Sequence, residues 1–435
     1  MAGLADDIRR AGVVGAGGAG FPAHIKASSQ AEIVIANGAE CEPLLQVDRQ
    51  LMERYPGEVL SGLRSIMQEV GAKNGIIALK KKYANAIAVL SEMLNGDKSI
   101  KLKTLDDVYP AGDEHLLVAN VTGRAVPEHG IPIDVGVVVH NIQTIVQIQD
   151  AAHGKPVTDR FVTVCGAVER PGTFRAPIGT PFSDLIRAAG GITEPAPALI
   201  AGGPMMGTCV EEFSDPLLKT ISGLIVLSKD HPLIVRKSMP LEKILWINRT
   251  VCCQCSYCTQ MCPRYLIGHE IQPHLIMRAS QHGPLPEHLK FALSCSECGV
   301  CTYFACPMGI SPGILISALK RKISAPMPRP EIKSPRPLKD MVRVPLQRLT
   351  LRLGLGKYDK PAPLSEARLK PARVVLKLKQ HTGEPSKPLV REGVRVKEGE
   401  LLAEVPEGKT GAMLHASISG IVEMVSDEEI VIRSE

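Results

Sequence analysis

Residues 252–263 read Cys-Cys-Gln-Cys-Ser-Tyr-Cys-Thr-Gln-Met-Cys-Pro, and residues 295–307 read Cys-Ser-Glu-Cys-Gly-Val-Cys-Thr-Tyr-Phe-Ala-Cys-Pro. The first run spaces its thiols as Cys252-x2-Cys255-x2-Cys258-x3-Cys262. The second runs Cys295-x2-Cys298-x2-Cys301-x4-Cys306, with one extra residue in the last gap. Three thiolates on so tight a loop can reach three corners of an iron–sulfur cubane. The same loop cannot wrap round to the fourth corner, which must be filled from elsewhere. Zinc competes for cysteines arranged as CxxC pairs. It rarely takes three thiols at successive x2 spacings closed by Cys-Pro, so two [4Fe-4S] clusters are the better reading.

The spacing is that of bacterial two-cluster ferredoxins, in which each run lends its last cysteine to the other cluster. We therefore assign the first cluster to Cys252, Cys255, Cys258 and Cys306, and the second to Cys295, Cys298, Cys301 and Cys262. Cys253 fits neither set. Nine of the 12 cysteines lie in this window; outside it, Cys165 and Cys209 read as buried small hydrophobes. A disulfide framework would need an oxidising compartment and, as a rule, a short secreted chain. The opening MAGLADDIRRAGVVGAGG has no basic-then-apolar signal pattern, and no apolar run approaches the ~18 residues of a membrane span. A cytoplasmic chain without a transmembrane segment is expected.

The 435 residues suggest about three domains at roughly 150 residues each. Hydrophobic residues make up 44%, enough for a sizeable core. Aromatic residues are 3% with one Trp, which argues against a base-stacking protein. The net charge of +6, from 51 basic and 45 acidic residues, is too small to imply a nucleic-acid partner.

Residues 1–155 alternate strand and helix patterns. AEIVIAN (31–37), GIIALK (75–80) and DVGVVVHN (134–141) read as buried strands, with a helix over YANAIAVLSEML and another from Gln143. Such alternation predicts a parallel, Rossmann-like α/β sheet. Residues 156–239 read as a small α+β unit, with two strands around a Pro-Gly turn and a helix stopped by Gly190-Gly191. Residues 240–322 are helical and carry the cysteines. Residues 323–372, rich in Pro, Lys and Arg, read as an extended mobile linker. Residues 373–435 read as a small β-sandwich of short strands and Gly turns.

Four polar patches stand out in the first unit. Gly15-Ala16-Gly17-Gly18-Ala19-Gly20-Phe21-Pro22, followed by Lys26, could cradle a phosphate on backbone amides. Asn37-Gly38-Ala39-Glu40-Cys41-Glu42-Pro43 follows a strand, where α/β sheets bind ligands. Tyr109 to Glu114 and Asn141 to Thr144 complete the set.

In this order the four patches resemble the flavin- and NADH-binding subunit of respiratory complex I and its relative in the Rnf electron-transport complex, RnfC. The likeness extends to a soluble-ligand-binding β-grasp (SLBB) domain near 161–207, to the ferredoxin-like runs and to a biotinyl/lipoyl-like sandwich lacking Met-Lys-Met, so no covalent acyl group is expected there. The sandwich comes last in this chain, a domain order that resembles the cobalamin reductases of propanediol-utilisation microcompartments. The resemblance implies non-covalent FMN held by Gly15, Gly17, Gly18, Gly20 and Lys26, with Phe21 against the nucleotide. It implies Asn37, Asn141 and Thr144 as further cofactor contacts and Glu40, Glu42 and Glu114 as catalytic residues. NADH is the implied donor and a corrinoid the implied acceptor, with adenosyltransferase and microcompartment shell proteins as partners, and oligomer formation left open. An Rnf-type protein serving membrane partners and a non-catalytic electron-carrying scaffold are the alternatives. Ala16, Ala39, Ser29 and His115 depart from the relatives' Arg, Asp, aromatic residue and Lys; these changes fall on the NADH grip.

Overall fold

A computed structural model describes residues 3–280, 287–323 and 334–435. Its N-terminal sheet has four parallel strands in the order Ile100–Leu105, Asn74–Lys80, Ile33–Gly38, Val137–Asn141. In strand Ile33–Gly38, Val34 and Ala36 face one core while Ile35 faces another. That alternation is the period-two pattern of a strand buried on both sides. Helices Val47–Arg54, Pro56–Glu69, Ala84–Met93 and Ile142–Ala152 cover the first face, and Glu114–Thr122 covers the second. Strand order reverses between Ile33–Gly38 and Val137–Asn141, whose ends bring Asn37 beside Asn141. A crevice at the carboxyl ends of two such strands is where open α/β sheets bind ligands.

The second unit is a six-stranded mixed sheet in the order Leu364–Arg368, Gly172–Pro177, Asp159–Gly166, Gly223–Ser228, Pro197–Ala201, Thr208–Val210. Its edge strand corrects the linker reading. Leu364–Arg368 pairs in parallel with Gly172–Pro177, and Val344–Pro345 pairs antiparallel with Val108–Tyr109 of the first unit. Between them, helix Leu346–Arg352 and the turn after it bury Leu346, Leu349, Leu353 and Leu355 in the core of the second sheet. Pro, Lys and Arg dominate the composition here, but the leucine spacing of a helix face decides the structure. Part of the expected linker, residues 324–333, lies outside the described residues.

The cysteine unit is built from short helices, most of them opened by proline at the first turn, as in Pro263–Leu266, Pro273–Ala279 and Pro312–Lys320. The C-terminal unit pairs two antiparallel sheets, and its Leu376, Leu402 and Ile430 join one core with Ile8 and Val13 of the N-terminal unit. No helix among the described residues is long and apolar enough to cross a membrane.

Leu349 is fully buried, so Leu349→Ala should cost ~3 kcal/mol of stability in denaturant titration. A loss near zero would restore the linker reading.

Candidate flavin cavity and cysteine centres

The glycine loop is closed on itself: the Gly15 amide donates to the Phe21 carbonyl at 2.8 Å, and the Gly20 amide to the Gly15 carbonyl at 3.3 Å. Gly20 has φ +63°, and a Cβ there would lie 2.9 Å from Thr220, so this position needs glycine. Gly18, at φ +109°, has open space where a Cβ would be. The loop is anchored on both sides. The Ala16 amide donates to Thr144 Oγ1 at 2.9 Å, and Arg160 donates to the Ala16 carbonyl at 2.6 Å. Beside it, Asn141 caps helix Ile142–Ala152 by accepting from the Gln143 amide at 2.9 Å. A glycine loop against a helix N-terminus is suited to a phosphate.

Lys26 and Glu114 form one ion pair at 2.8 Å, and Lys26 also donates to the Val139 carbonyl. Asn37 shapes the acidic loop, donating to the Gly112 carbonyl at 2.9 Å and accepting from the Ala39 amide at 3.1 Å. Glu40 accepts from the Asp48 amide at 3.0 Å. Burial pushes its carboxyl up to about 7, with the Asp48 amide, Lys80 and Arg160 opposing and the Glu42 charge reinforcing. Glu42 accepts from the amides of Met205 and Met206 at 2.8 and 2.9 Å, pinning the Ala201–Gly207 turn of the second unit over the crevice. Ser29, by contrast, turns its hydroxyl back on the carbonyls of Ile25 and Lys26.

Two buried residues of this site were not among the sequence candidates. Asp48 accepts from Asn141 at 2.7 Å; burial, and then the charge of Glu40, raise its carboxyl well above the usual range. Arg160, 1% exposed, faces both carboxyls with positive charge, joined at Glu40 by Lys80. Together these residues line a cavity of about 390 Å³ that runs from Gly15, past Glu40 and Asn141, to Ser296 and Cys298 of the second cysteine run. Among the described residues, His115 Nδ1, His140 Nε2 and Arg264 Nε are buried without hydrogen-bond partners, and all three residues line this cavity. Glycine amides, a helix N-terminus and unmatched polar atoms together fit a polar, phosphate-bearing cofactor such as FMN.

The far wall of the cavity is tied to the cysteine unit. Asp113 caps helix Glu114–Thr122 and pairs at 2.9 Å with Arg264, which follows Cys262 by two residues. Tyr109 donates from its hydroxyl to the Cys298 carbonyl at 2.6 Å. His115 packs edge-on against His269, ring centroids 5.4 Å apart.

Cys252, Cys255, Cys258 and Cys306 line one small cavity, together with Cys253. Cys298 and Cys301 lie within electrostatic reach of Cys262 and Cys295, and burial pushes the Cys262 thiol up to about 12. Among the described residues, no three such groups converge tightly enough to chelate a single ion. The two loops share an unusual shape. Gln254 and Ser256 have φ of 54° and 62°, and their counterparts Glu297 and Gly299 have 58° and 75°. The extra residue in the second run is absorbed by a π-turn over Cys301–Ala305. Cys306 of the second run shares a cavity with the three thiols of the first, a donor set whose chemistry fits an iron–sulfur cubane. Cys165 is buried as expected, whereas Cys209 is only half-buried.

Comparison with known proteins follows the same division. The Nuo51 FMN-binding domain model matches residues 8–150 and the SLBB domain model residues 161–208. The 4Fe-4S dicluster model matches residues 251–311, and the RnfC barrel sandwich hybrid model residues 357–435. The class is thus a multidomain protein with an FMN-binding and a 4Fe-4S dicluster domain. The chain is 45% identical over 435 residues to the cobalamin reductase PduS of Salmonella typhimurium, covering 99% of this chain and 96% of that one. It is 44% identical at the same coverage to that of Citrobacter freundii. The C component of the Na(+)-translocating ferredoxin:NAD(+) oxidoreductase complex of Acetobacterium woodii is 35% identical over 265 residues, 60% of this chain and 57% of that one. The chain belongs to the family of the PduS cobalamin reductases.

Cys306→Ser should abolish the electron paramagnetic signal of the cluster held by Cys252, Cys255 and Cys258 while leaving the other. Loss of the other signal instead would mean that each run supplies all four of its own ligands. At Gly203 a Cβ would lie 2.2 Å from the Glu42 carboxyl carbon. Gly203→Ala should therefore lower flavin content, measured by released fluorescence, with iron retained; full flavin occupancy would show that Glu42 does not set the crevice.

Proposed function

We propose that this chain is an NADH-dependent reductase of cobalamin, taking two electrons from NADH and delivering them singly to the corrinoid cobalt. The observation that carries this reading is one cavity joining the glycine loop to Cys298, in a chain 45% identical along its length to a cobalamin reductase. FMN, when bound, accepts the two electrons of a hydride and passes them on one at a time, which joins a nicotinamide donor to one-electron clusters.

The protein's own residues supply the setting. The loop amides of Gly15, Gly17, Gly18 and Gly20, with the N-terminus of helix Ile142–Ala152, hold the phosphate, and Lys26 adds positive charge held in place by Glu114. Asn37, Asn141 and Thr144 fix the crevice walls, and Phe21 offers an apolar face to the nucleotide. Glu40 and Glu114 face the nicotinamide, while Glu42 keeps the Met205–Met206 turn closed against water. Arg160 balances Glu40 and Asp48, so that one of two adjacent buried carboxyls can remain charged. The cluster ligands are the two crossed sets of four cysteines. On the family likeness, the protein works in the cytoplasm, within or attached to a propanediol-utilisation microcompartment, with adenosyltransferase and shell proteins as partners. The Rnf-type role is less favoured, because likeness to a protein of that kind extends over 60% of the chain.

The test is anaerobic stopped-flow mixing of the holoenzyme with NADH and cob(III)alamin. Corrinoid reduction dependent on NADH is expected; none, while ferricyanide is reduced, would remove cobalamin as acceptor. The pH dependence tests Glu40 separately. Its carboxyl, pushed up to about 7, is charged above that pH and neutral below it. With the carboxylate accepting a hydrogen bond from NADH, KM for NADH should rise as pH falls through about 7, and Glu40→Gln should flatten that rise. An unaltered profile in Glu40→Gln would exclude Glu40 from the NADH grip.

A further inference from the structure

The two cysteine centres differ in access. Cys262, Cys298 and Cys301 are buried and Cys295 is half-buried, and Cys298 faces the flavin cavity. In the other set Cys255 is exposed and Cys252, Cys258 and Cys306 are half-buried. Cys258 lies within electrostatic reach of Cys301, so the two sets face each other. Transfer between one-electron carriers falls steeply with separation. The order is therefore cavity, buried set, exposed set, surface.

The surface at that end is unusual for this chain. Trp246, the only tryptophan in the sequence, is 64% exposed; Tyr257 is 50% and Met308 44% exposed. Tyr257 lies between Cys255 and Cys258, and Met308 lines the same small cavity as the four thiols of that set. Trp246 stands on helix Leu241–Val251, which is capped by Cys252, about 9 Å of helix from that ligand. The exposed side of this helix also carries Lys243 and Arg249, three residues to either side of Trp246, and one carboxylate, Glu242. Each of these large exposed apolar side chains neighbours the same cysteine set, which makes that end of the molecule a candidate binding surface.

Resting on the reading that cobalamin is the acceptor, we propose that free cobalamin docks here, over the exposed cysteine set. Its flat corrin ring would lie on Trp246, Tyr257 and Met308, and its single phosphodiester beside Lys243 or Arg249. The chemistry matches on both counts. A corrin ring offers a broad apolar face with amide-fringed edges, which suits indole, phenol and thioether side chains. The phosphodiester is the ligand's one permanent anion, and the helix face presents two cations against one carboxylate. The electrons balance: each NADH yields NAD+, one proton and two electrons. Two successive one-electron deliveries at this face take cobalt from Co(III) through Co(II) to Co(I), with loss of the axial ligands.

Trp246 is its own reporter, because cob(III)alamin absorbs where indole emits. Titrating the FMN- and iron-loaded protein with hydroxocobalamin should quench Trp246 saturably, beyond the loss seen for free tryptophan at equal absorbance. The Tyr257→Ala/Met308→Ala and Lys243→Glu/Arg249→Glu double variants should each raise the resulting Kd at least ~fivefold. Trp246→Ala should lower the ratio of corrinoid to ferricyanide reduction ~tenfold with full iron content. The charge-reversal pair lies on an exposed helix face, so it remains informative if the first double variant loses iron. Wild-type Kd in iron-replete variants, or corrinoid reduced only when bound to a second protein, would overturn this docking site and leave the reductase reading standing. No corrinoid reduction at all, with ferricyanide reduced normally, would overturn both.

Discussion

A buried ion pair, Arg264 to Asp113, holds the electron-carrying half of this protein against the nucleotide-binding half. The side chains are 12% and 8% exposed and 2.9 Å apart. Asp113 opens the helix that forms one wall of the crevice, and Arg264 sits two residues after Cys262. The Tyr109 bond to the Cys298 carbonyl fixes the same junction at a second point. Removing one partner of such a pair strands a buried charge at a cost of about 3–5 kcal/mol. The geometry of the flavin crevice and of the nearer cysteine set is therefore specified jointly. Function requires this, since a two-electron donor and one-electron carriers must be held close.

A second junction works from below. Arg160 reaches from the second sheet to the Ala16 carbonyl of the glycine loop. Lys219 donates to carbonyls of Gly12 and Met413, joining the N-terminal, middle and C-terminal units. Glu42 reaches the other way, from the acidic loop to the Met205–Met206 amides. The crevice is thus a place where units meet, held together by Glu42, Arg160 and Asp113.

The parts of this design written in local spacing were legible in the sequence. The cysteine runs define their own loops, and even the extra residue before Cys306 is accommodated locally, by a π-turn. The glycine loop follows from residue type, and the segment at 37–43 from its position at a strand end. What depended on distant pairing was not legible. Asp48 looks like an ordinary acidic residue in the first turn of a helix, and Arg160 like a solvated charge in a strand. Only the sheet pairing that brings Asn37 beside Asn141 and the packing of the second unit make them buried neighbours. Strand Ile100–Leu105 carries exposed lysines on an edge, so its alternation was too weak to register. The Pro- and Arg-rich stretch concealed a leucine-faced helix because composition averages over the spacing that matters.

The central claim is the order of carriers: crevice, then the buried cysteine set, then the exposed one. A crystal structure of the protein loaded with FMN and iron tests it most directly. The isoalloxazine should lie between the glycine loop and Cys298, nearest to a cluster ligated by Cys262, Cys295, Cys298 and Cys301. A flavin bound elsewhere, or one closer to the cluster on Cys252, Cys255, Cys258 and Cys306, would contradict it.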